Sequence, residues 1–221
     1  MQINKQLNDF VNKHTNSFPK HLAKMQQEAY EEGLPIIDKD IADFLATLLT
    51  LKQPKNILEV GCAVGFSSVL FASFAPHDSK ITTIDRYEFM VNRAKINFKK
   101  LNLEHKVELI ADDAINVLPK LLAASKKYDF IFLDAAKGQY INFLQYILPL
   151  LTENGLFVAD NIFQNGDISL EINEIEKRNR TIYRNMHRFL HSVFENTSLV
   201  SSVLPIGDGL LVSSKKCHGV L

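Results

Sequence analysis

Between residues 56 and 159 the chain alternates short apolar runs with amphipathic stretches, and few folds accept that pattern. The runs fall at 56–60, 80–84, 107–110, 128–133 and 156–159. The intervening stretches, 65–74, 86–101, 114–124 and 139–151, read as helices. Strand–helix alternation predicts an α/β domain, a parallel sheet with helices on both faces. Two further runs, 199–204 and 210–213, are joined by Pro205-Ile206-Gly207-Asp208-Gly209. That joint predicts a hairpin, so the seven-stranded sheet is mostly parallel and ends with one antiparallel strand. The charged stretch 170–195 reads as one long helix. Residues 1–50 read as a helical extension. One helix there ends at Gly33 as a C-cap. A second is capped by Asp38 and carries Ile41, Phe44, Leu45 and Leu48 on one face. No linker or repeat interrupts 1–221, so one domain is expected.

Composition narrows the function. Lysine plus arginine (25) balance aspartate plus glutamate (25). A neutral chain does not coat nucleic acid indiscriminately, although a local basic patch remains open. Cys62 and Cys217 are far apart and form no zinc-type pair, which fits a reducing cytoplasm. The segment MQINKQLNDF has no apolar core of a signal peptide, and no run reaches the roughly 18 apolar residues of a membrane span. Ile3, Leu7, Phe10 and Val11 add an apolar face to an already complete domain, which predicts a homodimer.

The ends of the apolar runs carry the chemistry. Run 128–133 stops at Asp134-Ala135-Ala136-Lys137, and run 156–159 stops at Asp160-Asn161. In an open parallel sheet, ligands bind at the carboxyl ends of the strands. Two carboxylates and an amide oxygen form an all-oxygen set suited to Mg²⁺. Lys137 follows as a candidate base, or as a solvated helix-terminal charge. The first strand runs into Glu59-Val60-Gly61-Cys62-Ala63-Val64-Gly65-Phe66-Ser67. Its G-x-x-x-G spacing is neither the dinucleotide fingerprint nor a P-loop. Such a loop suits a carboxylate better than a pyrophosphate, with Ser67 as a side-chain donor, and it also serves as an ordinary strand–helix turn. Asp85 ends the second strand, where an acid meets ribose hydroxyls in related sheets. Asp112-Asp113-Ala114 ends the third, either at an adenine edge or as a helix cap.

With ILEVGCAVGFSS (57–68), TTID (82–85), DDA (112–114), FLDAAKGQY (132–140), ADNIFQNG (159–166) and PIGDGL (205–210), the chain resembles the class I S-adenosylmethionine-dependent O-methyltransferases. It is most similar to the cation-dependent caffeoyl-CoA and catechol group. Within that group, DAAKGQY resembles the bacterial tRNA 5-hydroxyuridine methyltransferases. The resemblance implies a Rossmann-like sheet, with S-adenosylmethionine and Mg²⁺ (or Mn²⁺) as cofactors. It places Ile37, Glu59, Gly61, Ser67, Asp85, Asp113, Ala114 and Asp134 around S-adenosylmethionine. It makes Asp134, Asp160 and Asn161 the metal ligands and Lys137 the general base. Cys62 stands where a threonine is common.

The implied reaction gives a methyl group to the 5-hydroxyl of 5-hydroxyuridine in tRNA. A metal ion lowers the pKa of a bound hydroxyl, and a lysine beside it loses its own proton more readily. A catechol or hydroxycinnamoyl thioester offers the same chelating oxygens, so small phenolic substrates stay open. A nicotinamide-dependent oxidoreductase is the reading from another class, and the missing middle glycine speaks against it. Arg180, Arg184, His187 and Arg188 share a helical face next to Lys177 and Arg178. They are the candidate contacts to the tRNA anticodon region, or a solvated face paired with nearby glutamates. Phe163 and Tyr140 are candidates for stacking on a base, or for core packing.

Overall fold

The computed structural model describes residues 18–217 together with Phe10 and His14. Helices α1 (Lys20–Glu31) and α2 (Lys39–Lys52) precede the sheet. Then come β1 (Asn56–Val60), α3 (Phe66–Phe74), β2 (Lys80–Asp85), α4 (Glu88–Lys100), β3 (Val107–Ala111), α5 (Ala114–Ala123) and β4 (Tyr128–Leu133). The chain continues through α6 (Tyr140–Leu150), β5 (Leu151–Ala159), α7 (Arg180–Phe194), β6 (Leu199–Leu204) and β7 (Leu210–Lys215). The strands form one sheet in the order β3-β2-β1-β4-β5-β7-β6. β7 is antiparallel to both of its neighbours, as the hairpin reading requires.

The central strands read as continuous apolar runs because both faces are covered. In β4, Phe130 and Phe132 enter one core with residues of α1, α2 and α3, while Ile131 and Leu133 enter the other with residues of α5, α6 and α7. Register brings the strand ends level. Val60 lies opposite both Ile84 and Leu133, and Leu133 lies opposite Ala159. Residues 61, 85, 134 and 160 therefore leave the sheet along one edge.

Two boundaries differ from the sequence reading. The last long helix begins at Arg180, not near 170. In 170–179, side chains take the backbone groups that a helix needs. Arg180 donates to the carbonyls of Ile175 (3.0 Å) and Asn173 (3.3 Å), Tyr183 to that of Leu170 (2.9 Å), and the Glu174 carboxylate accepts from Glu171 N–H (2.8 Å). Strand β5 begins at Leu151 rather than 156. The polar stretch 152–154 is a bulge opposite a register shift at Tyr128/Phe130, with Asn154 at φ 55°. Asp38 stands at the start of α2 but makes no side-chain cap. Ile3, Leu7 and Val11 of the expected dimer face lie outside the described residues. Among the described residues no helix is long and apolar enough to cross a membrane.

Candidate active site

A cavity of about 790 Å³ opens along that edge. Gly61, Ser67, Asp85, Asp113, Ala114, Asp134, Lys137, Asp160, Asn161 and Ile37 all line it. The glycine loop is held by its own strand ladder and by Asp85. Gly61 N–H donates to Ile84 O (2.8 Å), and Asp85 Oδ2 accepts from the N–H groups of Cys62 (3.1 Å) and Ala63 (2.9 Å). Asp85 Oδ1 accepts from Tyr87 N–H (2.9 Å). Gly61 sits at φ +92°, and a Cβ there would lie 1.9 Å from Asp134 O. Only glycine allows that approach.

Asp134 and Asp160 extend the neighbouring strands. Asp134 N–H donates to Val60 O (2.9 Å), and Asp160 N–H to Leu133 O (3.0 Å). Burial pushes the Asp160 carboxyl up to about 7, helped by the Asp134 charge, while Asn161 N–H and Lys137 oppose it. Burial also pushes Asp134 up to about 6; Lys137 opposes the rise and Asp85 adds to it. Asn161 is in the left-handed region (φ 53°) and donates its N–H to Asp160 Oδ1 (2.6 Å). Two sequestered carboxylates that resist charging one another, beside an amide oxygen, fit a hard divalent cation, whose charge would remove that resistance. Among the described residues no three His, Cys, Asp or Glu side chains form a metal cage, so such a site depends on Asn161 as its third donor. The Lys137 ammonium makes no ion pair or hydrogen bond among the described residues, yet its charge draws both acids down.

At the other end, Asp113 is already engaged. Its Oδ1 caps α5 through Ile115 N–H (3.1 Å), and its Oδ2 accepts from Arg86 (2.6 Å). Asp113 thus caps α5 and also lines the cavity, with Arg86, stacked over Tyr87 at 5.1 Å, beside it in the wall. Asp38, Asn165, Asp208 and Arg86 also line the cavity, a placement that their local sequence does not signal. Asp38 read as a cap and Asp208 as a turn. Only the insertion of β7 beside β5 brings the hairpin loop to this edge, where Asn165 N–H donates to Asp208 Oδ1 (2.7 Å).

Other residues stand elsewhere. Tyr140 is fully buried in the core and is not a stacking platform. Its hydroxyl donates to Asp160 O (3.1 Å) and accepts from Ala135 N–H (3.3 Å). Phe163 packs over Gly209. Arg178, Arg180, Arg184 and Arg188 are all outside the cavity. Arg180 is committed to the carbonyls of 173 and 175, and Arg178 pairs with Glu176 (2.7 Å). Arg184, His187 and Arg188 are exposed on the outer face of α7, opposite Met186, Phe189 and Val193.

Glu59 lies behind the loop, wholly buried and off the cavity. Its Oε2 accepts from Ser68 and, at 2.6 Å, from Thr83, while Oε1 has no partner within hydrogen-bond geometry among the described residues. Burial pushes this carboxyl up from 4.5 to about 7, against the pull of the Ser67, Ser68 and Thr83 hydroxyls. A raised folded-state pKa contributes stability that is complete below the unfolded value and is lost as pH rises through the folded one. Wild type should therefore lose on the order of 3 kcal/mol between pH 4.5 and 8 through this group. Glu59→Gln should flatten that loss, so that its stability relative to wild type improves with pH. Parallel pH dependences in urea titrations would show that Glu59 is ionised in the folded state.

Comparisons with known proteins place the chain in a family. An O-methyltransferase family model matches residues 12–216. The caffeoyl-CoA O-methyltransferase of Stellaria longipes is 30% identical over 209 residues, 89% of this chain and 85% of that one. The tapetum-specific methyltransferase 1 of Arabidopsis thaliana is 32% identical over 181 residues, 81% and 76% of the two chains. A Staphylococcus aureus structure, provisionally named a caffeoyl-CoA O-methyltransferase, superposes with a TM-score of 0.83 at 32% identity, covering 97% of this chain and all of that one. The Podospora anserina methyltransferase PaMTH1, solved with S-adenosylhomocysteine, has the same fold with a TM-score of 0.85 at 23% identity, covering 98% of each chain.

Proposed function

The chain belongs to the S-adenosylmethionine-dependent O-methyltransferases of the caffeoyl-CoA type, and from that premise we propose that it methylates the 5-hydroxyl of 5-hydroxyuridine in tRNA with the help of Mg²⁺ or Mn²⁺. The observation that carries this reading is the position of α7. The helix presents Arg184, His187 and Arg188 to solvent while its inner face packs on the turn that bears Lys137. A polyanion on that outer face would be held on the helix that braces the Lys137 turn, across the helix from the cavity, and such contacts are mainly to phosphate.

When bound, S-adenosylmethionine supplies an electrophilic methyl, and the divalent ion supplies positive charge beside the reacting hydroxyl oxygen. Asp134, Asp160 and Asn161 would hold the ion. Gly61, Ser67 and the Ile37 backbone would take the methionine end, Asp85 the ribose, and Asp113 with Ala114 the adenine side. Glu59 supports the loop from behind. Lys137 accepts the hydroxyl proton, so that the oxygen is a competent nucleophile when it meets the methyl. The Asp85 and strand-ladder bonds keep the loop preorganised, which makes alignment the chain's main contribution. The native assembly is read as a homodimer.

The second reading is a free catechol or hydroxycinnamoyl-type phenol, favoured by the names of the relatives. Incubation with S-adenosylmethionine and tRNA containing 5-hydroxyuridine, followed by nucleoside mass spectrometry, separates the two. The expected result is 5-methoxyuridine, abolished by exhaustive chelation and restored by Mg²⁺ or Mn²⁺. Methylated caffeate or catechol with unmodified tRNA would establish the second reading. Full turnover after chelation would remove the metal assignment.

A further inference from the structure

Helix α7 does more than carry charge, because its inner face grips the catalytic turn at two points. Asn185 Nδ2 donates to Gly138 O at 2.8 Å, and Phe189 packs edge-on against Tyr140 with ring centroids 5.5 Å apart. Ile182 stands beside the first grip, with its Cγ1 3.6 Å from where a Gly138 Cβ would be. Residues 137–139 form only a single 3₁₀ turn, and Tyr140 N–H closes it on Lys137 O. A short turn of this kind has little stiffness of its own. Lys137 is half-buried, and its ammonium has no side-chain partner among the described residues. Its place in the cavity is therefore set by its backbone. Past Gly138, the same segment reaches Tyr140, whose hydroxyl meets Asp160 O.

We propose that Asn185 is a positioning residue that holds the Gly138 carbonyl, and with it the turn that presents Lys137, so that α7 and the catalytic lysine move as one body. The proposal rests on the reading of Lys137 as the base. The bond reaches 47 residues along the chain and joins the helix with the exposed basic face to the turn with the reactive amine. Seating of a polyanion on α7 is then mechanically linked to the placement of Lys137.

Two substitutions separate positioning from bulk support. Asn185→Asp keeps the side-chain shape but replaces the donor with an acceptor facing a carbonyl. Asn185→His places an N–H on the same branch as Nδ2. Asn185→Asp should lower kcat roughly 10- to 100-fold, the scale of a misplacement near 1 Å. KM for S-adenosylmethionine and for the acceptor should stay within about two-fold of wild type. Amide exchange at residues 138–140 should quicken. Asn185→His should recover much of the lost kcat. An unchanged kcat in Asn185→Asp, an equal rise in KM, or an Asn185→His variant no better than Asn185→Asp would overturn the proposal. The assays use both 5-hydroxyuridine tRNA and free catechol. If wild type acts on catechol alone, the tRNA reading fails and the Asn185 criteria are applied to catechol. If neither acceptor turns over, unchanged exchange at 138–140 overturns the proposal and faster exchange supports it.

Discussion

Lys137→Ala should lower the rate of methyl transfer by roughly 10²–10⁴ while leaving S-adenosylmethionine affinity close to wild type. The lysine lies at the cavity wall, where its charge acts on Asp134 and Asp160 without ion-pairing to either. A structural lysine would be tied to a partner, whereas a base needs a free lone pair once its proton leaves. Residual activity of the alanine variant should climb with pH, as hydroxide replaces the missing acceptor. Lys137→Arg should not restore the rate, because guanidinium stays protonated. Single-turnover kinetics with saturating cofactor read the chemical step directly, and calorimetry reads cofactor binding. An arginine variant near wild-type rate would make Lys137 an electrostatic residue and end the base assignment.

Gly61→Ala should cost more than about 3 kcal/mol, a drop in Tm of roughly 6–12 °C, or should abolish cofactor binding outright. The new methyl would stand 1.9 Å from Asp134 O and 2.8 Å from Asp134 C. Both are backbone atoms of a strand pinned to Val60, so neither can move aside cheaply. The φ of +92° adds a penalty of its own. Gly166→Ala is the matched control. It has φ +94°, but nothing among the described residues within 4 Å of the added carbon, and should lose only about 1–2 kcal/mol. Equal losses in thermal or urea unfolding would show that the close approach to Asp134 is not what requires glycine at position 61.

The strands are legible because a run such as FIFL (130–133) is apolar on both faces, a pattern that a sheet covered on both sides demands. The acids at their ends were legible for the same reason, since each marks the point where burial stops. Asp38, Arg86 and Asp208 were not. Each has a sufficient local reading, as helix cap, first residue of the helix 86–101, or turn, and reaches the cavity only through tertiary placement. The early start assigned to the last helix is a miss of the same kind. The charge pattern of 170–179 suits a helix, but Arg180 and Tyr183 claim its carbonyls from outside the segment. Tyr140 was ambiguous for a different reason. Its neighbours in sequence are catalytic candidates, while its burial depends on Phe189 arriving from α7.

The strand order has a consequence for how the molecule assembles. β7 lies between β5 and β6, although β6 precedes it along the chain. β6 therefore has no place in the sheet until β7 has docked on β5. The Asp208 and Gly209 carbonyls, which accept the N–H groups of Phe163 (2.8 Å) and Ile162 (3.0 Å), arrive with that same hairpin. During synthesis the first five strands can collect around β1, leaving one flank of β5 open as an unpaired edge. Closing it requires contacts distant in sequence, which are slow to form. The step that seals this edge against aggregation is also the step that completes the loop after Asp160, so a chain caught before it would be both sticky and inactive.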